Sequence, residues 1–210
     1  KTRKLLTMNG LHHPRADVDR LYVKRKSGGR GLLEVKSVYQ QSIVGLAYYI
    51  KSEKTRLIRR VQMNDESQSF SLQKEANEIT MKYHLSKKNT IKEVMCELKD
   101  AMEKERIERI KSKSMHGQMF RELKRDGIDK KATFKWLNWS GLKGRSESLI
   151  FAAQDQALNT RYHQKNILKL SVNCMCRMCH KAEEHVSHLV AGCTMLAATE
   201  YVQKVWCFSG

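Results

Sequence analysis

The sequence contains very little that would interrupt a helix and no long apolar run. Only 1 of its 210 residues is proline, and since proline breaks helices, its scarcity favours long helical segments. No apolar stretch approaches the roughly 20 residues that a membrane-spanning helix needs. The 40% of apolar residues is nevertheless enough to form a core. We therefore expect a mostly α protein that neither spans a membrane nor is disordered.

An initiator methionine and a secretory leader are also missing. The chain begins at Lys1, and no charged segment followed by an apolar one comes after it. We expect the chain to be an intracellular piece of a longer protein.

The sequence lacks the local motifs of common enzyme classes. It has no Asp-Asp pair after an aromatic strand, as metal-dependent nucleotidyl transfer would need, and no phosphate-binding loop or dinucleotide fingerprint. Hydrolase and metalloprotease motifs are absent too. Asp17 and Asp19 alternate but lie among basic residues, so we do not assign them a catalytic role. No catalytic residue is predicted in this chain.

Basic residues, by contrast, greatly outnumber acidic ones. The chain has 40 Lys and Arg against 22 Asp and Glu, a net charge of +18. A polyphosphate is the partner that this surplus favours, because each neutralised phosphate releases counterions. Alternatively, the surplus serves general solubility, or the partner is an anionic protein or an acidic membrane surface. The surplus is concentrated in residues 1–36 and 51–60, and the predicted contacts to RNA or DNA are Lys1, Arg3, Lys4, Lys24, Arg25, Lys26, Arg30, Arg56, Arg59 and Arg60.

Apolar periodicity predicts several helices. One is expected over 38–51, with Ser37 as its cap, and another over 54–63, followed by a polar linker at 64–67. The apolar residues of the first are Ile43, Leu46, Ala47 and Ile50. A longer stripe predicts a further helix, with a coiled coil as its alternative, and consists of Ile91, Val94, Met95, Leu98 and Met102.

Two more local features follow from residue type. A compact helix is expected over 149–163, where alanines permit close packing. The glycines at 28–31 predict a turn between two elements, since glycine accepts positive φ.

Four of the six cysteines fall close together near the end of the chain. The spacing Cys176-x2-Cys179-x8-His188-x4-Cys193 offers three thiolates and one imidazole, a set suited to tetrahedral zinc with all positions closed. Clustered thiols in a reducing compartment bind metal more often than they form disulfides. We therefore predict a structural Zn²⁺ site.

Some alternatives to this ligand set remain open. Cys174, His180 and His185 are near enough in sequence to replace one of the four ligands. A disulfide pair or a thiol-rich loop without metal would also be compatible with the pattern.

Several segments together resemble the reverse transcriptase polyprotein of non-LTR retrotransposons. Residues 1–8, 13–22 and 25–32 resemble the region just beyond the polymerase core. Residues 150–160 are similar to a helix before the zinc knuckle, and 176–193 to the CCHC knuckle itself.

This resemblance implies a fold and a function. It implies a basic segment with a glycine turn over 1–36, a thumb-like helical connector over 37–170, and a truncated zinc knuckle over 171–210. The parent would copy RNA into DNA by target priming in the nucleus, and this piece would bind RNA or DNA beside the missing polymerase core. The rival interpretation is a helical protein-interaction remnant with a purely structural zinc site.

Overall fold

A computed structural model describes residues 2–86, 90–139 and 141–201 of the chain. Within these residues the backbone is mostly helical, and its β pairing is limited to an isolated bridge between Met175 and Glu183. The mostly α fold expected from the sequence is therefore confirmed.

The helices are numbered in chain order. Short 3-10 helices cover Asp19–Leu21 and Arg25–Ser27, and π-helical turns cover His188–Gly192 and Ala197–Tyr201. The α-helices are α1 (Thr2–Met8), α2 (Val35–Ser52), α3 (Arg56–Ser67), α4 (Leu72–Lys82), α5 (Ile91–Ser112), α6 (Gln118–Glu122), α7 (Lys130–Trp139), α8 (Gly144–Gln154), α9 (Arg161–Asn166) and α10 (Thr194–Leu196).

The chain divides into two units, each made of separated stretches of sequence. The core unit comprises Asp19–Ile110 and Phe134–Asn138, and the terminal unit comprises Lys1–Val18, Lys111–Thr133 and Trp139–Gly210. These units are not the three segments expected from the sequence, whose division at residues 36 and 170 stays a prediction.

The core unit is built around an apolar cluster from α2, α4 and α5. Burying a Val, Leu or Ile side chain contributes about 1.5–3 kcal/mol, so the cluster is what holds these three helices together. The predicted stripes supply most of its α2 and α5 members, but Leu46 is half exposed and Val44 is buried instead. The buried residues of the cluster are Ile43, Val44, Ala47, Ala76, Ile79, Val94, Leu98 and Met102.

The start of α2 differs from the prediction because Ser37 does not cap it. The helix begins at Val35, three residues before the predicted start at residue 38. The Ser37 hydroxyl donates to Glu34 Oε2 at 2.6 Å, and Arg106 Nη2 donates to the same oxygen at 2.7 Å. The charged carboxylate is the stronger acceptor, which explains why the hydroxyl turns toward it.

The linker predicted at 64–67 is wrong, because α3 continues to Ser67. Within it, Asp65 accepts hydrogen bonds from the N–H groups of Leu72 (2.8 Å) and Gln73 (3.1 Å) and from the Ser71 hydroxyl (2.9 Å). The Asp65 carboxylate therefore satisfies two of the open N–H groups at the start of α4, groups that every helix N-terminus leaves without an intrahelical partner.

The predicted glycine turn is present. Gly28 has a φ of +92°, and a Cβ atom there would overlap the Phe134 ring. A Cβ atom on Gly29 would overlap the Val23 carbonyl oxygen. The glycines are thus required by left-handed backbone at the first position and by close approach at the second.

The helix predicted over 149–163 is two helices in the terminal unit. α8 ends at Gln154 and α9 begins at Arg161. Between them Gln156 has a φ of +54°, and the N–H of Ala157 donates to the Ala152 carbonyl at 2.8 Å. This bond closes a left-handed C-terminal cap. Glycine usually occupies the left-handed position of such a cap, and because Gln156 stands there instead, the sequence does not predict the helix end.

Candidate metal centre

A short hairpin places the first two cysteines of the CCHC pattern. The N–H of Cys176 donates to the Ala182 carbonyl at 2.8 Å, and the N–H of His180 donates to the Cys176 carbonyl at 3.0 Å. His180 itself has a φ of +55°. The resulting tight turn holds the Cys176 and Cys179 sulfurs on one side, as the two-residue spacing predicts.

The other two candidate ligands are brought together by a π-helical turn over His188–Gly192. Five residues along an α-helix correspond to a rotation of about 140° beyond a full turn, so His188 and Cys193 would point apart. A π turn is wider, with i to i+5 bonding, and it returns Cys193 to the side of His188. The x4 spacing therefore works because this turn is not α-helical.

The four side chains converge on a single point. The Sγ atoms of Cys176, Cys179 and Cys193 and a ring nitrogen of His188 all lie within 4.8 Å of one another. Cys176 Sγ is 3.9 Å from Cys193 Sγ, and Cys179 Sγ is 3.3 Å from His188 Nε2. Tetrahedral zinc with bonds near 2.3 Å to sulfur requires edges of about 3.8 Å between sulfurs. The arrangement has the size of such a site, with Nε2 as the ligand atom of His188.

The three alternative ligands lie outside this group. Cys174 Sγ donates to Glu183 Oε1 at 3.2 Å. The His185 ring packs on Tyr162 with centroids 3.7 Å apart, and His180 is exposed in the turn. Among the described residues, the four side chains predicted from the spacing are the set that the fold brings together.

Hydrogen bonds at the candidate metal centre favour the thiolate form of some cysteines. Three thiolates this close together would repel one another unless a cation lay between them. Burial would raise the pKa of Cys176, yet the N–H groups of Cys179 and Met178 donate to its sulfur and lower that pKa. At Cys193 the N–H of Leu196 acts in the same direction, but burial and the neighbouring sulfurs of Cys176 and Cys179 raise its pKa. A divalent metal would remove this repulsion between like charges.

An ion pair between buried Glu184 and half-exposed Arg177 supports the hairpin. Glu184 is 1% exposed, and its Oε2 accepts from the Arg177 N–H at 3.0 Å and from Arg177 Nε at 2.9 Å. Its Oε1 accepts from Arg177 Nη2 at 2.7 Å and from the N–H of Arg161 at 3.0 Å. Burial alone would raise the pKa of Glu184, but these donors lower it to about 2. The carboxylate thus ties the hairpin to the start of α9.

This pair is not predicted by the sequence patterns. Its only signal is that a cation, Arg177, lies between two predicted cysteine ligands with a carboxylate seven residues further on. The seven-residue spacing does not predict a contact by itself, because only the hairpin brings Arg177 and Glu184 together.

The predicted nucleic-acid contacts in the glycine-turn region have partners within the core unit. Lys24 Nζ forms an ion pair with Asp100 Oδ1 at 2.9 Å. The Arg25 guanidinium donates to the Leu137 carbonyl, and Arg30 is half-buried. Their role in binding RNA or DNA stays a prediction.

At the start of the chain, Arg3 Nη2 donates to the Pro14 carbonyl at 2.7 Å, and Lys4 is exposed. Lys1 lies outside the described residues.

The remaining predicted contacts are all exposed. Lys26 lies just before the glycine turn, while Arg56, Arg59 and Arg60 lie in α3. The three α3 guanidiniums form no hydrogen bond or ion pair with the part of the chain that the structure describes. Because they stand at i, i+3 and i+4, they share one helix face.

Two further observations concern the whole chain. None of the described helices is both long enough and apolar enough to cross a membrane. No protein-family model, curated protein or solved structure gives a significant match to this sequence.

Proposed function

We propose that this chain is a nucleic-acid-binding fragment whose C-terminal part is held in shape by a structural zinc ion. The observation that carries the proposal is the α3 surface, defined as the exposed and unpaired side chains of Arg56, Arg59 and Arg60. Lys51 and Lys54, which precede α3 along the chain, are exposed as well. A cluster of unneutralised cations on one face is suited to the regular phosphates of a nucleic acid backbone.

Zinc is the metal that the donor set favours. Three thiolates and one imidazole in a tetrahedral arrangement select zinc over magnesium or calcium, which prefer oxygen ligands. Four protein ligands leave no position for a reactive water, so the ion would contribute folding free energy and no catalysis. Cys176, Cys179, His188 and Cys193 would hold it.

The parent of this fragment would be a non-LTR retrotransposon reverse transcriptase acting in the nucleus. Support for it comes from the order of the basic segment, the 150–160 helix region and the CCHC cluster along the sequence. This chain would contribute nucleic-acid contacts beside a polymerase core that carries the catalytic carboxylates. An aromatic-x-Asp-Asp segment upstream in the same genomic reading frame would test the parentage, and a frame without one would contradict it.

The proposed binding surface can be tested with the variant Arg56→Gln/Arg59→Gln/Arg60→Gln. We expect the full chain to bind a 20-nucleotide RNA or a DNA duplex with an affinity that falls linearly in a log–log plot against salt. The triple variant should bind more weakly and reduce that slope by about 0.7–0.9 for each phosphate that it no longer neutralises. Fluorescence anisotropy over a series of salt concentrations measures both quantities.

A matched control removes three exposed cations elsewhere, in Lys92→Gln/Lys99→Gln/Lys104→Gln on α5. This variant has the same net charge as the arginine variant, so it should keep most of the salt slope if binding is localised at the α3 surface. Equal reductions in the two variants would contradict a localised surface.

The rival function is a helical protein-interaction module. It is favoured by the apolar side chains beside the α3 arginines, since Leu57 and Met63 are 72% and 74% exposed. Absence of binding to RNA and DNA at low salt, in protein with a full complement of zinc, would support this rival and reject nucleic-acid binding.

A further inference from the structure

A cleft in the terminal unit brings together three separate stretches of the chain, from residues 3–18, 113–116 and 156–167. Its volume is about 660 Å³, which lies within the range of small-molecule sites. Its polar and charged lining includes Arg3, Arg15, Asp17, Lys113, His116 and His163.

A buried imidazole in the cleft lining has no hydrogen-bond partner for its ring. His163 is 7% exposed, and neither of its ring nitrogens forms a hydrogen bond with the described part of the chain. Buried polar groups are nearly always hydrogen-bonded, and an exception calls for an explanation such as a ligand. His163 lines the cleft, and its two unsatisfied ring nitrogens could therefore hydrogen-bond to a ligand bound there.

The ionisation of His163 depends on the charge beside its ring. Burial lowers the pKa of His163, and the positive charge of Arg15 lowers it further. The Gln156 carbonyl opposes part of this effect, but it is not in hydrogen-bonding geometry with the ring. An anion beside the imidazole would reverse the effect of the arginine and favour a proton on the ring.

The charges around the cleft favour an anion as well. Asp17 is the carboxylate in the lining, and it is already paired with Lys113 Nζ at 2.6 Å and His116 Nδ1 at 3.2 Å. Arg3 and Arg15 are exposed, and their guanidiniums donate to neutral groups. Arg3 donates to the Pro14 carbonyl, and Arg15 donates to Asn159 Oδ1. A guanidinium has five N–H donors, so both arginines retain donors for a ligand.

We propose that this cleft binds the phosphate group of a nucleotide. Arg3 and Arg15 hold the phosphate oxygens, and His163 donates a hydrogen bond from the buried wall. The apolar part of the lining, which includes Met115 and Ile167, contacts the nucleoside. This site goes beyond the proposed function, because it concerns one phosphate in one cleft and does not need the α3 surface.

The test follows the histidine ring resonances of the full chain by NMR during titration with adenosine 5′-monophosphate, inorganic phosphate or adenosine. We expect the two phosphate probes to shift the His163 signals, which are assigned by their disappearance in His163→Gln, and adenosine alone not to shift them. Arg15→Gln should weaken binding of the monophosphate about tenfold, as expected for removal of a charge-assisted hydrogen bond.

Arg15 is exposed, so its replacement tests the site without disturbing the core. The matched control is Arg56→Gln, an exposed arginine of α3 in the core unit, which should leave the monophosphate affinity unchanged. No shift of His163 with either phosphate probe would overturn the proposal, and so would equal affinities of Arg15→Gln and the unaltered chain.

Competition with a ten-nucleotide DNA identifies the source of the phosphate. Displacement of the monophosphate only by the 5′-phosphorylated strand assigns the cleft to a strand end, and displacement by both the phosphorylated and the unphosphorylated strand assigns it to internal phosphates. Displacement by neither assigns it to a free nucleotide. The arginine triple variant of α3 should still bind the monophosphate, so failure of the proposed function and failure of this proposal are separate outcomes.

Discussion

At the scale of single residues, the pKa of Glu184, near the candidate metal centre, is set by its hydrogen-bond donors. It accepts four hydrogen bonds, three from Arg177 and one from Arg161. Without them, burial would raise the pKa of this carboxyl group. Its role in the protein is therefore positional, because it joins the hairpin of the candidate metal centre to α9.

We expect Glu184→Gln to lower the free energy of unfolding by about 2 kcal/mol. The amide keeps the size of the side chain but replaces an accepting oxygen by a donor that faces N–H groups. Because the Arg177 side chain is half exposed, solvent screening keeps the destabilisation below that of a fully buried pair. Urea denaturation at neutral pH in the presence of zinc measures the change.

The neighbouring carboxylate is the control. Glu183 is exposed and its contacts are to the side chains of Cys174 and His185, so Glu183→Gln should lower the free energy of unfolding much less than Glu184→Gln does. Equal effects of the two substitutions would show that Glu184 has no special structural role.

His116 predicts a pH dependence of stability. Its hydrogen bond to Asp17 raises its pKa against the opposing effects of burial and of Lys113, and the charge of Asp155 acts in the same direction as Asp17. A raised pKa in the folded state stabilises the protein fully below the unfolded value of about 6.5 and no longer does so once the pH rises through the folded value. The stability difference between the chain and His116→Gln should be largest near pH 6 and smaller at pH 8, as measured by urea denaturation. A difference that stays constant over that range would contradict this assignment.

At the scale of secondary-structure elements, the π turn over His188–Gly192 decides whether the last two ligands can meet. Gly192 is part of that requirement, because a Cβ atom there would lie 3.3 Å from His188 Nδ1. Such a contact is tighter than ordinary van der Waals packing, so the imidazole would have to move.

We therefore expect Gly192→Ala to weaken zinc binding severalfold, since even a small displacement of the ring aligns Nε2 less well with the three sulfurs. Competition with a chromophoric chelator measures the affinity. Ala191→Ser changes the adjacent exposed residue and should bind zinc as the unaltered chain does. An unchanged affinity of Gly192→Ala would show that the glycine is not needed for ligand geometry.

Elements also show where periodicity predicts well and where it does not. The apolar stripe predicts that Val94 and Leu98 face a core, and both are fully buried in α5. An apolar helix face is removed from water only by packing against other elements. The predicted boundaries are less accurate. Ser37 does not cap α2, because a hydroxyl has several local partners and only the complete fold selects among them. The left-handed backbone at Gln156 divides a predicted helix, and no glycine in the sequence marks that position.

At the scale of the whole molecule, the two units have separate sources of stability. The core unit has its apolar cluster. The cysteine-rich part of the terminal unit has few large buried apolar side chains, with Cys176 and Cys193 among the residues with no exposure. Metal binding would supply folding free energy where apolar burial is sparse.

We expect removal of zinc by a chelator to unfold the cysteine-rich segment while α2, α4 and α5 keep their protection. Hydrogen exchange followed by mass spectrometry should show fast exchange of amides over 171–193 and slow exchange over 94–102. Cys179→Ala should reproduce this pattern without chelator, whereas Cys174→Ala should retain stoichiometric zinc because Cys174 lies outside the ligand group. Unchanged exchange over 171–193 after metal removal would refute a structural role for the metal.

The mostly helical character and the four residues that converge at the candidate metal centre follow from the primary structure alone. Both depend on residue type and short-range spacing, which the backbone geometry of helices and tight turns converts directly into position.

Other features exist only in the folded chain. Among them are the pairing of Arg177 with Glu184, the internal hydrogen bond of Arg25, and the burial of His163 without a partner beside two arginines. These depend on contacts between distant stretches, as when the Asp17 N–H meets the Asp155 carboxylate 138 residues away. Such contacts leave no periodic trace in the sequence, because each polar group has many possible partners and only three-dimensional packing selects the one that it obtains.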